Sequence, residues 1–194
     1  MSDLPLSIPP LAAKAQAIAD RGQFKMSSEP RVGALLRTLV ASKPGGNILE
    51  VGAGLGVGSA WLLEGMDADA RLTSLEVHER VGGLCRQVLA PDPRAQVVIT
   101  DATDWLTSYS GPLFDFVFVD TTITKFERRD SLFAHLADGA LFVADDLLPQ
   151  DSWNNDHPPR VERFRKEILE EPNLVPTLVD WASGLVIATF RRNA

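Results

Sequence analysis

The sequence predicts an α/β fold, a doubly wound sheet of seven strands that is mostly parallel and ends in an antiparallel hairpin. Three observations predict it. Between residues 47 and 144, short apolar runs of strand length alternate with segments of helical spacing. Those runs are nearly continuous in apolar residues, as expected of parallel strands covered on both faces. The last two runs, 174–181 and 185–190, are separated only by Ala182, Ser183 and Gly184. They are antiparallel if they pair, because a parallel pair needs a crossover of about a dozen residues.

The elements follow in order. The first ten residues contain Pro5, Pro9 and Pro10 and read as an extended arm. Residues 11–20 carry alanine and apolar positions at helical spacing, with Gly22 as a stop. Pro30 suits a helix start after Ser27, Ser28 and Glu29 as caps, and Val32, Leu35, Leu36, Leu39 and Val40 make one apolar face. Lys43-Pro44-Gly45-Gly46 is a turn. Strands are then expected at 47–51, 72–77, 96–100, 114–119 and 139–144, and helices at 59–64, 81–89, 103–108, 130–137 and 160–170. Phe114, Phe116 and Phe118 alternate along one strand and read as packing. Pro176 removes a ladder donor and so suits an exposed or edge position for the sixth strand.

A chain of 194 residues suits one domain, and 45% hydrophobic with 23% charged residues excludes wholesale disorder. Nineteen basic against 26 acidic residues give a net charge of -7, which disfavours a duplex nucleic-acid partner. Cys85 stands alone, so no internal disulfide forms; it reads as a small buried side chain in a reducing compartment. No run of about 18 apolar residues is present, and the N-terminus is acidic where a signal peptide is basic. The expectation is a soluble, cytoplasmic protein with no membrane partner.

Chemistry concentrates at the strand ends. Strand 47–51 runs into Glu50-Val51-Gly52-Ala53-Gly54-Leu55-Gly56-Val57-Gly58, a turn whose glycines let backbone approach a ligand. Val57 stands where the dinucleotide pattern counted from Gly52 needs its third glycine, and no Lys-Ser or Lys-Thr follows for a P-loop. Glu76 ends the next strand about 20 residues past the turn, placed to accept two ribose hydroxyls. Asp101 and Ala102 follow the third strand, where they can line an adenine; Asp101 could equally cap the next helix. Asp120 ends the fourth strand and Asp145-Asp146 the fifth, so three carboxylates can converge and suit Mg²⁺, Ca²⁺ or Mn²⁺. Strand-end acids facing water are the alternative. Residues 149–159 form a turn-rich loop able to cover a substrate, with Trp153 and His157 as candidate contacts; the alternatives are that Trp153 packs the loop down and that His157 is simply exposed.

The segments EVGAGLG, LTSLEVHE, VVITDATDWL, FDFVFVD and GALFVADD together resemble the class I S-adenosylmethionine-dependent methyltransferases, with a Rossmann-like sheet. The similarity is closer to the small catechol and caffeoyl-CoA-type O-methyltransferases, over residues 23–192. Met26-Ser27-Ser28-Glu29 matches that family's segment near the cofactor, and the tail from Arg160 through Glu171-Pro172 to Gly184-Leu185-Val186-Ile187-Ala188 matches its ending.

The resemblance implies S-adenosylmethionine as cofactor, a small-molecule acceptor, a homodimer, and a single methyltransferase domain at 23–194 behind an arm and helix at 1–22. It assigns Met26, Ser27, Glu50, Gly52, Gly54, Gly56, Ser59, Glu76, Val77, Asp101, Ala102 and Asp120 to the cofactor, with Trp105 as an adenine wall. It assigns Asp120, Asp145 and Asp146 to a divalent metal that positions the acceptor and activates its hydroxyl. Asp146 stands where the family has asparagine. The family's basic lysine follows the first aspartate by two or three residues; here Lys125 follows Asp120 by five, so it reaches the site only if the loop is rearranged. Asp120 and Lys125 are the catalytic candidates. Competing readings are a metal-independent methyltransferase acting on another nucleophile, a nucleotide-binding oxidoreductase, and a cofactor-binding module without turnover.

Overall fold

The computed structural model describes residues 3–150 and 153–192. The expected arm and covering loop therefore fall partly outside the described residues, at Met1, Ser2, Asp151 and Ser152.

One seven-stranded sheet forms the centre: β1 Asn47–Val51, β2 Arg71–Glu76, β3 Ala95–Ile99, β4 Phe114–Val119, β5 Leu136–Ala144, β6 Leu174–Val179 and β7 Leu185–Phe190. Their spatial order is β3-β2-β1-β4-β5-β7-β6. β1 to β5 are parallel, while β7 runs antiparallel to both β5 and β6. The hairpin after Val179 thus inserts its second strand beside β5 and leaves β6 at the edge, where Pro176 costs no inner ladder bond.

Alternation along each strand feeds two cores, one on each face. Ile48, Leu72, Phe116 and Phe118 pack with helices α1 Pro10–Arg21, α2 Pro30–Val40, α3 Val57–Gly65 and α4 Glu79–Leu89. Leu49, Val51, Val117, Val119 and Phe142 pack with α5 Ala102–Ser108, α6 Ile123–Phe126, α7 Arg129–Phe133 and α8 His157–Glu167. Fully burying Leu49 and Ile48 on opposite faces of β1 stabilises the sheet by about 2 kcal/mol each. Phe114 does not share a face with Phe116 and Phe118. Phe114 packs in the second core, at the point where the β4–β5 register shifts, with the extra residues on β5. No helix among the described residues is long and apolar enough to cross a membrane.

Three boundaries differ from the sequence expectation in ways that matter. α7 ends at Phe133, and β5 begins early at Leu136. α6 forms in what reads as a loop. α8 begins at His157, three residues before the expected start, so His157 sits in its first turn with Pro158 and Pro159. The expected caps of α2 also differ. Glu29 occupies the cap position without a side-chain cap bond and instead binds Arg31 at 3.0 Å.

Candidate active site

Between β1 and β4 the strand order reverses direction, and the crevice outside the carboxyl ends there is the expected ligand position in open α/β sheets. A cleft of about 790 Å³ opens at that edge. The glycine turn, Glu76 and Val77 line one part, Asp120 lies in the middle, and Lys125, Asp145, Trp153 and His157 line the other. A water-sized hollow of about 10 Å³ adjoins it between Ser27, Glu50, Gly52 and Asp120.

The turn is held in shape by backbone geometry. Gly52 has φ +98°, and a Cβ there would stand 2.5 Å from the carbonyl oxygen of Asp120. Glu76 clamps the turn: Oε2 accepts the Gly54 amide at 2.9 Å, and Oε1 accepts the His78 amide at 2.9 Å. Each carboxylate oxygen keeps acceptor capacity for a second donor. Gly56 lies behind the turn against Cys85 Sγ and lines neither cavity. Cys85 is fully buried, and burial foremost, with the nearby Glu50 charge, pushes its thiol up to about 12, so it is inert as a nucleophile.

Glu50 is buried at the end of β1. Ser59 and Ser74 both donate to its Oε2, the latter at 2.6 Å. Burial pushes the Glu50 carboxyl up to about 7, reinforced by the Glu76 charge and opposed by the two hydroxyls. Ser59 is fully buried and lines neither cavity; its hydroxyl positions Glu50. Gly58 makes room for that carboxyl, since a Cβ would stand 2.6 Å from Glu50 Oε1.

Met26 and Ser27 line the cleft as expected, and the buried Ser27 Oγ has no hydrogen-bond partner among the described residues. Asp101 and Ala102 do not line it. Asp101 spends its carboxylate as the cap of α5, accepting from the Thr103 amide at 2.7 Å and the Asp104 amide at 3.2 Å. Trp105 likewise packs α5 down, 4.5 Å from the Tyr109 ring, and lines neither the cleft nor the adjoining hollow.

At the other end, Lys125 is only 2% exposed yet lines the cleft. The rearrangement it needed is α6, which buries Thr124, Lys125 and Phe126 together. Asp145 is buried, and its Oδ1 accepts the Ser183 hydroxyl and the Asp146 amide, the latter at 2.7 Å. Burial and the neighbouring Asp146 push Asp145 up to about 6, opposed by those hydrogen bonds and by Lys125. Asp120 is raised well above the usual carboxylate range by desolvation and then by Asp145, with Lys125 opposing. His157 is lowered by burial and by the Lys125 charge; its Nε2 is buried without a hydrogen-bond partner among the described residues, and its ring lies 4.5 Å from Trp153 and 5.3 Å from Phe126.

Asp120, Asp145 and Asp146 share one charge environment, but among the described residues no three His, Cys, Asp or Glu side chains form a metal-ligating group. Two donors already engage Oδ1 of Asp145, and a buried lysine stands in the same cluster. As arranged, this donor set does not fit a divalent ion.

Sequence reasoning missed Phe24, Arg31, His78, Gln150 and Ser183 in the cleft lining. Ser183 had one legible signal: a polar residue in a three-residue turn that must return beside β5.

A family model described as a methyltransferase domain matches residues 49–147. The O-methyltransferase from Bacillus cereus, solved in complex with SAH, superposes with a TM-score of 0.84 at 22% identity, covering 98% of this chain and 94% of that one. TomG from Streptomyces achromogenes, solved with SAM, superposes with a TM-score of 0.81 at 22% identity, covering 94% and 90%. These two likenesses establish a shared fold. A Mycobacterium sp. (strain KMS) protein named "Putative O-methyltransferase" is 29% identical over 188 residues, covering 92% of this chain and 84% of the relative. A Mycolicibacterium paratuberculosis protein of the same name is 34% identical over 114 residues, 57% of this chain and 50% of that protein. The chain thus spans about half the length of that relative and of a Mycobacterium avium protein of the same name. The family match covers just over half of the chain and takes in the end of β1, the glycine turn, Glu76, Asp120 and Asp145, and on that ground the chain belongs to the methyltransferase domain family.

Proposed function

We propose that this chain transfers the methyl group of S-adenosylmethionine to an oxygen of a small-molecule acceptor. The observation that carries the reading is the single cleft running from the glycine turn and Glu76 past Asp120 to Lys125, Trp153 and His157. The names of the mycobacterial relatives and the SAH and SAM bound to the two solved O-methyltransferases support it.

The residues present fit the cofactor. The orphaned Ser27 hydroxyl beside Gly52 suits a polar amino-acid end. Glu76 retains lone pairs for ribose hydroxyls, and exposed Val77 offers an apolar wall beside it. When bound, S-adenosylmethionine supplies an electrophilic methyl group on a sulfonium. Gly52 and Gly54 allow close backbone approach, and Trp153 covers the acceptor end against water. The chain's task is alignment: the acceptor oxygen must be held in line at roughly 3–3.5 Å from the methyl carbon. Asp120, in the middle of the cleft, borders the reacting centre in this reading.

The same reading takes residues 23–194 as the catalytic domain, with α1 packed onto it through Ala12 and Ala15. It includes a homodimer, for which exposed Leu6 and Ile8 of the arm supply apolar surface. Mass-spectrometric detection of S-adenosylhomocysteine and a methylated product from a panel of phenols and carboxylic acids tests the activity. Titration with NAD tests the oxidoreductase alternative, and no binding is expected.

A further inference from the structure

Lysine is almost never fully buried without compensation. Lys125 is 2% exposed, and its surroundings explain why it stays. It lines the same cleft as Asp120, Asp145, Asp146 and His157, and its positive charge opposes the rise of the two buried aspartates. The short helix that carries it is fixed on several sides. Thr124 and Thr121 share a hydroxyl hydrogen bond of 3.1 Å, Phe126 packs edge-on against Phe164 at 5.8 Å, and Arg129 donates to the Lys125 carbonyl at 3.2 Å.

We propose that the ammonium group of Lys125 is the built-in cation of the acceptor end of the cleft, balancing Asp120, Asp145 and Asp146 in place of a divalent ion and receiving the acceptor oxygen as an anion. This rests on the methyl-transfer reading for the acceptor, but not for the charge balance. Three carboxylates placed together need a cation or protons. Lys125 supplies the cation from within the chain, while Ser183 and the Asp146 amide occupy Oδ1 of Asp145. A second cation of charge two would meet repulsion from the buried ammonium. In the transfer itself the acceptor hydroxyl first loses its proton to water. The oxygen–methyl bond then forms as the sulfur–methyl bond breaks, leaving a neutral thioether and an ether or ester. A point charge holds one anionic oxygen, so the acceptor class is a phenol or carboxylic acid, and a neighbouring second hydroxyl is not required.

The test is Mn²⁺ binding, followed by electron paramagnetic resonance of the free ion, on the full chain saturated with S-adenosylhomocysteine. Wild type and Lys125→Arg are expected to take up no Mn²⁺ at micromolar concentration. Lys125→Met is expected to bind Mn²⁺ at least about tenfold more tightly than wild type, and Lys125→Met/Asp145→Asn to lose that gain. Micromolar Mn²⁺ binding by wild type that Asp145→Asn abolishes would overturn the proposal. Equal, absent binding by wild type and Lys125→Met would overturn it too, because the ammonium would then not be what excludes the ion. S-adenosylhomocysteine binding, measured on each protein, reports folding and tests the methyl-transfer reading separately; the Mn²⁺ comparison stands whichever way that falls.

Discussion

Glu76 Oε2 accepts the backbone amide of Gly54 at 2.9 Å, joining the end of β2 to the glycine turn after β1. With the His78 amide on its other oxygen, one carboxylate fixes the wall and floor of the same part of the cleft. Glu76 is therefore both a brace for the turn and the acidic group facing the cleft, and the turn's shape depends on it before any ligand arrives.

The turn tolerates no side chain at its first glycine. Gly52→Ala places a Cβ 2.5 Å from the Asp120 carbonyl oxygen at φ +98°. The expected cost is about 2–4 kcal/mol, read as a lower denaturant midpoint with an unchanged slope. Cofactor binding is expected to fall with it, because Asp120 must move.

Glu50 makes stability depend on pH. Its carboxyl is raised from 4.5 to about 7 in the folded chain, so the folded state holds a proton that the unfolded state has released. That contribution is full below about 4.5 and is lost as pH rises through 7, at most on the order of 3 kcal/mol. Asp145, raised from 3.8 to about 6, acts with the same sign over a lower window. Thermal unfolding of Glu50→Gln at pH 5 and pH 8 should show a smaller loss of stability across that range than wild type does.

In the proposed function, the acceptor end of the cleft is separable from the cofactor end. Trp153→Ala and His157→Ala remove side chains whose rings lie 4.5 Å apart, with His157 also packed against Phe126. Both are expected to lower kcat/KM for the acceptor by about tenfold or more and to leave S-adenosylhomocysteine affinity within about twofold. A large loss of cofactor affinity in either variant would place these rings at the wrong end.

If Lys125 is the resident cation, turnover is indifferent to chelators. Product formation in EDTA should match that in Mg²⁺, and single-hydroxyl phenols should be accepted as readily as catechols.

Much of this site was legible in strand ends. Glu50, Gly52, Glu76, Asp120 and Asp145 each end a strand or follow one, and alternation of apolar runs locates those ends well. The antiparallel position of β7 and the edge position of β6 follow from a short connection, five residues between Val179 and Leu185 where the sequence suggested three, and from Pro176. What was not legible depends on contacts between distant segments. α6 is four residues long, too short for a helical period, so the burial of Lys125 had no local signal. Ser59 and Asp101 have side chains suited to a ligand, yet their partners within the chain, Glu50 and the first amides of α5, take them first. Phe114 reads as part of one stripe with Phe116 and Phe118, yet it packs in the other core, beside the irregular end of the β4–β5 pairing.

The measurement that bears most directly on the central claim is calorimetric titration of wild type and Glu76→Ala with S-adenosylhomocysteine. Micromolar binding by wild type, weakened at least about tenfold in a folded Glu76→Ala, is the expected result, because the variant loses both the brace on Gly54 and the proposed ribose acceptor. Absence of binding by wild type, or equal binding by a folded Glu76→Ala, would contradict the assignment of this cleft to the cofactor.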